Sequence, residues 1–210
     1  MSAPYILKYI KEGEHQQQDF KMRIDDARKI AKTVSAFSNT SGGRLLIGVK
    51  DNGMIAGVRA EEEIHMMEAA AKMYCNPPVD YHVQVWKVDH KTVLEITIQQ
   101  SLTRPHLAQL DDGTWKAFVR EGDQNFPAPA VLMNVWKSED IQIEQKYFHT
   151  EKEKKIFQVL SDNPELSQSQ IARSTGIQRQ FLTKLLARLV RWKLLEITFI
   201  QGQARFKLKE

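Results

Sequence analysis

Cysteine is almost absent: Cys75 is the only one in 210 residues. A lone cysteine cannot close an intrachain disulfide, nor can it supply a cysteine-based zinc site. Its default reading is a small apolar residue of the interior. No apolar run approaches the roughly 18 residues needed to cross a membrane. Met1 to Lys11 lacks the apolar stretch and small-residue cleavage site of a signal peptide, so no export is expected. The six histidines show no metal-ligand spacing. Neither an internal repeat nor a low-complexity tract is visible. These absences leave a globular chain that does not engage membranes, with a reducing cytoplasm as its expected location.

The chain is long enough to bury one large or two small cores. Hydrophobic residues make up 42% and charged residues 27%, ordinary values for such a chain. The charge is uneven. Thr150 to Glu210 holds twelve Lys or Arg against six Asp or Glu, whereas the preceding part holds 18 against 20. The last third is therefore the basic part, as contact with nucleic acid requires, although a solvated surface would share that composition.

Ile6, Leu7 and Ile10 fall at helical spacing before Gly13. Gln17 to Met22 reads as a short strand. Asp25 or Asp26 can cap a helix carrying Ala27, Ile30, Ala31, Val34 and Phe37. Asn39 to Gly43 ends that helix, and Leu45 to Val49 is a continuous apolar strand. Asp51-Asn52-Gly53 signals a hairpin, with Met54 to Val58 returning. Glu61 to Tyr74 is a helix ended by Asn76-Pro77-Pro78. Tyr81 to Val88 and Val93 to Ile98 form a hairpin by period-two alternation. Residues 100 to 114 read as a polar loop, Trp115 to Arg120 as a strand, and Ala128 to Lys137 as a helix. The expected class is α+β, a mixed or antiparallel sheet with flanking helices.

The tail reads as a separate unit. Helices are expected over Lys152–Leu160, Gln170–Ser174 and Gln178–Trp192, with Phe181, Leu182, Leu185, Leu186 and Leu189 inside. Strands follow at Leu194–Ile200 and Ala204–Leu208. Three helices and a hairpin in this order look like a winged helix-turn-helix, and Ser169 to Ile177 resembles its turn. The expected division is 1–138, a linker at 139–149, and 150–210.

One N-terminal stretch is more specific. Glu14, Asp19-Phe20-Lys21, Ala36-Phe37-Ser38-Asn39-Thr40-Ser41-Gly42-Gly43, Leu46 to Gly53 and Gly57-Val58 follow the order of the Schlafen AlbA-type domain, which this part resembles. That family has Glu, four residues, Glu-Phe-Lys, then Ala-Phe-Ala-Asn-Thr with a Gly pair and a Gly-Val strand. The resemblance covers residues 4 to 130 and implies contact with nucleic acid. Its ribonuclease members carry a metal-dependent carboxylate site, which maps onto Glu14, Asp19 and Asp51 as candidate catalytic and metal-binding residues for Mg²⁺ or Mn²⁺. Here Asp19 stands one methylene short of the usual glutamate. A five-residue spacing puts Glu14 and Asp19 on different faces of a regular element, so only an irregular turn at Gln16 to Gln18 could join them. The alternative is that these carboxylates are structural.

Ser41-Gly42-Gly43 precedes a strand rather than a helix, and no Walker-type sequence exists. The glycines are thus expected to be structural, with ATP not bound and no cofactor required. Lys21, Arg104, His106 and Arg120 are candidate nucleic-acid contacts of the first domain. In the tail, Gln178, Arg179, Gln180, Thr183, Lys184 and Arg188 lie off the leucine stripe, and Arg205 lies on the wing. Arg and Gln near the start of a recognition helix suit base edges. The leading expectation is a DNA-binding transcriptional regulator. A metal-dependent nuclease, acting on RNA, and a protein-interaction adaptor are the alternatives. A homodimer on a palindromic site is compatible with the leading one.

Overall fold

A computed structural model describes residues 4–138 and 150–209. The linker expected at 139–149 lies outside the described residues. The chain divides into two compact units, Met1–Ala128 and Pro129–Glu210.

The first unit contains α1 (Pro4–Glu12), β1 (Gln18–Lys21), α2 (Ala27–Asn39), β2 (Gly43–Ile47), α3 (Ala60–Lys72), β3 (Cys75–Asn76), β4 (His82–Val88), β5 (Lys91–Ile98), β6 (Leu107–Gln109), β7 (Trp115–Glu121) and β8 (Gln124–Pro127). One four-stranded sheet runs β1-β2-β5-β4, with β1 parallel to β2 and the other pairs antiparallel. A second runs β3-β6-β7-β8, antiparallel throughout. The apolar run in β2 has a direct cause. Leu45 and Ile47 join the core around α2 and α3, whereas Leu46 turns to the opposite face with Ile6, Phe20, Trp86, Val88 and Val93. A strand covered on both sides has no polar face.

Helix α2 is the central element. It packs on β7, α3 and β6, and every residue from Thr33 to Asn39 is buried. Asp26 caps it by accepting from the Arg28 amide. Cys75 lies in the same core, its thiol donating to the Ala31 carbonyl. The sequence reading misses β6, which lies inside the stretch taken as a polar loop. Its buried Ala108 fills the core, and the flanking strands β3 and β7 supply its hydrogen bonds. The return strand expected at Met54–Val58 amounts to a single bridge, Val49 to Ile55.

The second unit contains α4 (Ala130–Lys137), α5 (Glu151–Asp162), β9 (Leu166–Ser167), α6 (Gln168–Thr175), α7 (Arg179–Arg191), β10 (Leu195–Ile200) and β11 (Gln203–Leu208). Thr150 with Glu153, and Ser167 with Gln170, form reciprocal capping boxes that start α5 and α6. Gly176 closes α6 at φ 70°, the left-handed position a side chain would strain. Leu182, Leu185, Leu186 and Leu189 form the core with Ile156, Ile171 and Phe206. Strands β10 and β11 make the wing, and β9 extends it in the order β10-β11-β9. This is a winged helix. Two details differ from expectation. Helix α4 groups with this unit, packing on α7 through a core that includes Val131 and Val135, so the division falls ahead of it. Phe181 is 43% exposed rather than inside, with the Lys152 ammonium 4.2 Å from its ring centre.

Candidate nucleic-acid interface

The acidic motif forms around an irregular turn. His15 and Gln18 exchange backbone hydrogen bonds of 3.0 and 3.1 Å, folding residues 16 and 17 into a tight loop. That loop sets the Glu14 and Asp19 carboxyls near enough to act on one another. Glu14 accepts from the Phe20 amide at 2.8 Å. Burial raises the Glu14 carboxyl above the ordinary glutamate value, the Phe20 amide opposes that, and Asp19 adds to the rise.

The third expected acid does not join them. Asp51 is exposed in the turn after β2, where the Lys50 amide donates to the Met54 carbonyl. Among the described residues no group of three His, Cys, Asp or Glu could hold a metal ion. Asp19 is 4% exposed and paired on both sides, with Lys21 Nζ at 2.8 Å and Arg120 Nη2 at 3.3 Å. A carboxylate held by two cations has little left for a metal, so these residues do not fit the ion that the family resemblance implies.

Arg120 corrects another expectation. It is 2% exposed, and its guanidinium donates to Asp19, Asn125 and the carbonyls of His15 and Gln18. It lies over the Phe37 ring at 5.2 Å and locks the acidic turn to β7 and β8 instead of reaching a phosphate. His106 is 5% exposed, bonded to the Pro77 carbonyl at 2.9 Å and the Ser101 hydroxyl at 2.8 Å, and is likewise internal. Arg104 is half-buried, with Nη1 near the Asn39 carbonyl. Lys21 is partly exposed and tied to Asp19.

The Ala-Phe-Ser-Asn-Thr segment explains itself structurally. Asn39 accepts from the His106 amide and donates to the carbonyls of His106 and Phe118. Ser35 donates to His106 and accepts from the Phe118 amide, and Thr40 accepts from the Arg120 amide. These side chains give α2 the hydrogen bonding of an extra strand beside β6 and β7. Polar residues four apart in the buried half of the helix, Ser35 and Asn39, are the signal that could have revealed this. The glycine pair is structural too. A Cβ at Gly42 would meet the Ile98 carbonyl at 2.8 Å, and one at Gly43 the Phe37 ring at 2.6 Å.

In the tail, Gln178, Arg179, Gln180 and Lys184 are exposed at the start of α7. Thr183 is not free. Its hydroxyl donates to the Arg179 carbonyl and accepts from Gln168 Nε2 at 2.6 Å, which docks α7 on α6. Arg188 pairs with the fully buried Glu153 of α5, and Arg205 donates to Gln170 at 2.7 Å. Three of the seven tail candidates therefore bond within the fold, Arg188 while still exposed, and the other four face solvent.

Residues 14–129 match the family model described as Schlafen, AlbA_2, and residues 153–205 match that of the MarR family. No curated protein matches the chain significantly. Among solved structures, the DIP2311 protein of Corynebacterium diphtheriae is 21% identical with a TM-score of 0.47, over 61% of this chain. The chain covers only 28% of that protein's structure. The N-terminal domain of an ATP-dependent DNA helicase RecG-related protein from Nitrosomonas europaea is 19% identical with a TM-score of 0.44. That likeness covers 71% of this chain and 99% of the domain.

Proposed function

This chain belongs to the Schlafen AlbA_2 family and carries a MarR-family winged helix after it, and we propose that it is a DNA-binding transcriptional regulator. The observation that carries the reading is the start of α7. Gln178, Arg179, Gln180 and Lys184 are exposed there while Gln168 and Thr183 fix the helix against α6. In a helix-turn-helix this end of the second helix enters the major groove, where Arg and Gln can each bond a purine edge at two points. The wing and the basic surplus of the tail supply phosphate contacts.

The test is fluorescence anisotropy with labelled duplex DNA at two salt concentrations. Binding should weaken steeply as salt rises, and Arg179→Ala with Lys184→Ala should reduce affinity at least about 10-fold, the scale of one lost base contact. Binding insensitive to salt and to both substitutions would reject the reading and favour an adaptor. A dimer on a two-fold site is the assembly that goes with it, to be read as a 2:1 complex by sedimentation.

A further inference from the structure

The first unit carries an aromatic surface that the acidic motif does not use. The Arg44 guanidinium lies 3.5 Å from the centre of the Tyr9 ring. Tyr9 meets Tyr5 edge to face, with ring centres 5.2 Å apart and planes at 83°. Tyr5 stacks on Trp86 at 6.4 Å and 14°. Trp86 Nε1 donates to Glu95 Oε2 at 2.9 Å. Glu95 and Arg44 then line one cavity of about 410 Å³ with Tyr9, Thr97, Gln99 and Gln100. The chain of contacts thus begins and ends at the cavity.

Two features remain unsatisfied. Arg44 Nη1 is buried without a hydrogen-bond partner. Arg44 also lines the cavity, so an acceptor placed there can meet its side chain. Tyr5 is 60% exposed, so an aromatic ring already stacked on one side presents apolar surface to water. Lys8 and Lys11, on the same helix, are exposed.

We propose that this surface binds single-stranded nucleic acid, with one base stacked on Tyr5 and the edge of a neighbouring base in the cavity beside Arg44. An exposed aromatic ring, a guanidinium donor and a carboxylate acceptor match a nucleobase, which offers a flat face together with acceptor and donor groups at its edge. Flanking lysines match its phosphates. Duplex DNA does not fit, because its base faces are buried in the stack. The site is separate from the winged helix and does not depend on the DNA-binding reading.

The test uses the full chain with fluorescein-labelled oligo-dT, oligo-rU and a duplex at low salt. Oligo-dT or oligo-rU should bind, and the preferred one identifies the sugar the site accepts. Tyr5→Ala should weaken single-strand binding about 10-fold, within the range measured for lost base–aromatic stacking. Duplex affinity should stay unchanged, and the unfolding midpoint should fall only slightly, since Tyr5 is 60% exposed and gives up only its ring contacts with Tyr9 and Trp86. Arg44→Gln should weaken the same strands. The Arg179→Ala, Lys184→Ala double variant should leave them bound. Absence of single-strand binding would overturn the proposal. So would binding that survives Tyr5→Ala, or that is lost with the winged-helix variant instead.

Discussion

Replacing Arg120 with methionine keeps most of the side-chain volume and removes the guanidinium that joins Asp19 to the carbonyls of His15 and Gln18. Breaking a buried pair from one side costs about 3–5 kcal/mol, and Lys21 remains to Asp19, so the lower end is expected in urea unfolding. Glu14 calls for the opposite experiment. Its raised carboxyl contributes stability that is complete below the ordinary glutamate value of about 4.3 and is lost as pH rises through the higher folded value. Glu14→Gln keeps an acceptor for the Phe20 amide without the half-buried charge. Its unfolding midpoint should therefore exceed that of the parent at neutral pH, and the advantage should vanish in acid. Urea melts at the two pH values decide it, and a gain that persists in acid would refute the linkage.

At the scale of elements, Glu153 stands out because it serves two structures at once. One carboxylate oxygen accepts from the Thr150 amide at 2.8 Å and completes the cap of α5, while the other pairs with Arg188 of α7. Glu153→Ala removes both links, and the loss of the cap alone is worth about 1 kcal/mol. The larger part should come from the ion pair, because Glu153 is fully buried. The expected outcome is a lower thermal midpoint for the winged helix with duplex binding weakened in proportion. Arg188→Ala should reproduce it, whereas Lys184→Ala should weaken binding without moving the midpoint. Such pairings mark where sequence stops being legible. Hydrophobic periodicity revealed α2, α7 and the hairpin of β4 and β5, since each buries a regular stripe. It could not reveal β6, three residues long and held by its neighbours, or the partner of α4, since an apolar stripe does not name what covers it. The site followed the same rule. The carboxyls of Glu14 and Asp19 were visible as residue types, but their meeting depends on the His15–Gln18 turn. The burial of Arg120 depends on contacts about a hundred positions away in the chain.

At the scale of the whole molecule, the basic surplus belongs to the winged helix, and the first unit carries slightly more acid than base. No helix among the described residues is long and apolar enough to cross a membrane. The two units keep separate cores, with α2 and the β1-β2-β5-β4 sheet in one and α7 in the other. Cys75 is buried in the first of them, and burial pushes its thiol up to about 12. A thiol of that kind is inert at neutral pH, because the thiolate is the reactive species. Since no other cysteine exists, a disulfide-exchange reagent reads the opening of the AlbA-type core and is blind to the winged helix. Labelling should be slow in the native protein, fast in denaturant, accelerated by Arg120→Met and indifferent to Glu153→Ala. The chain therefore carries its own clock for one half of itself, and any ligand of that half can be found by how far it slows the reaction, with no cysteine engineered in.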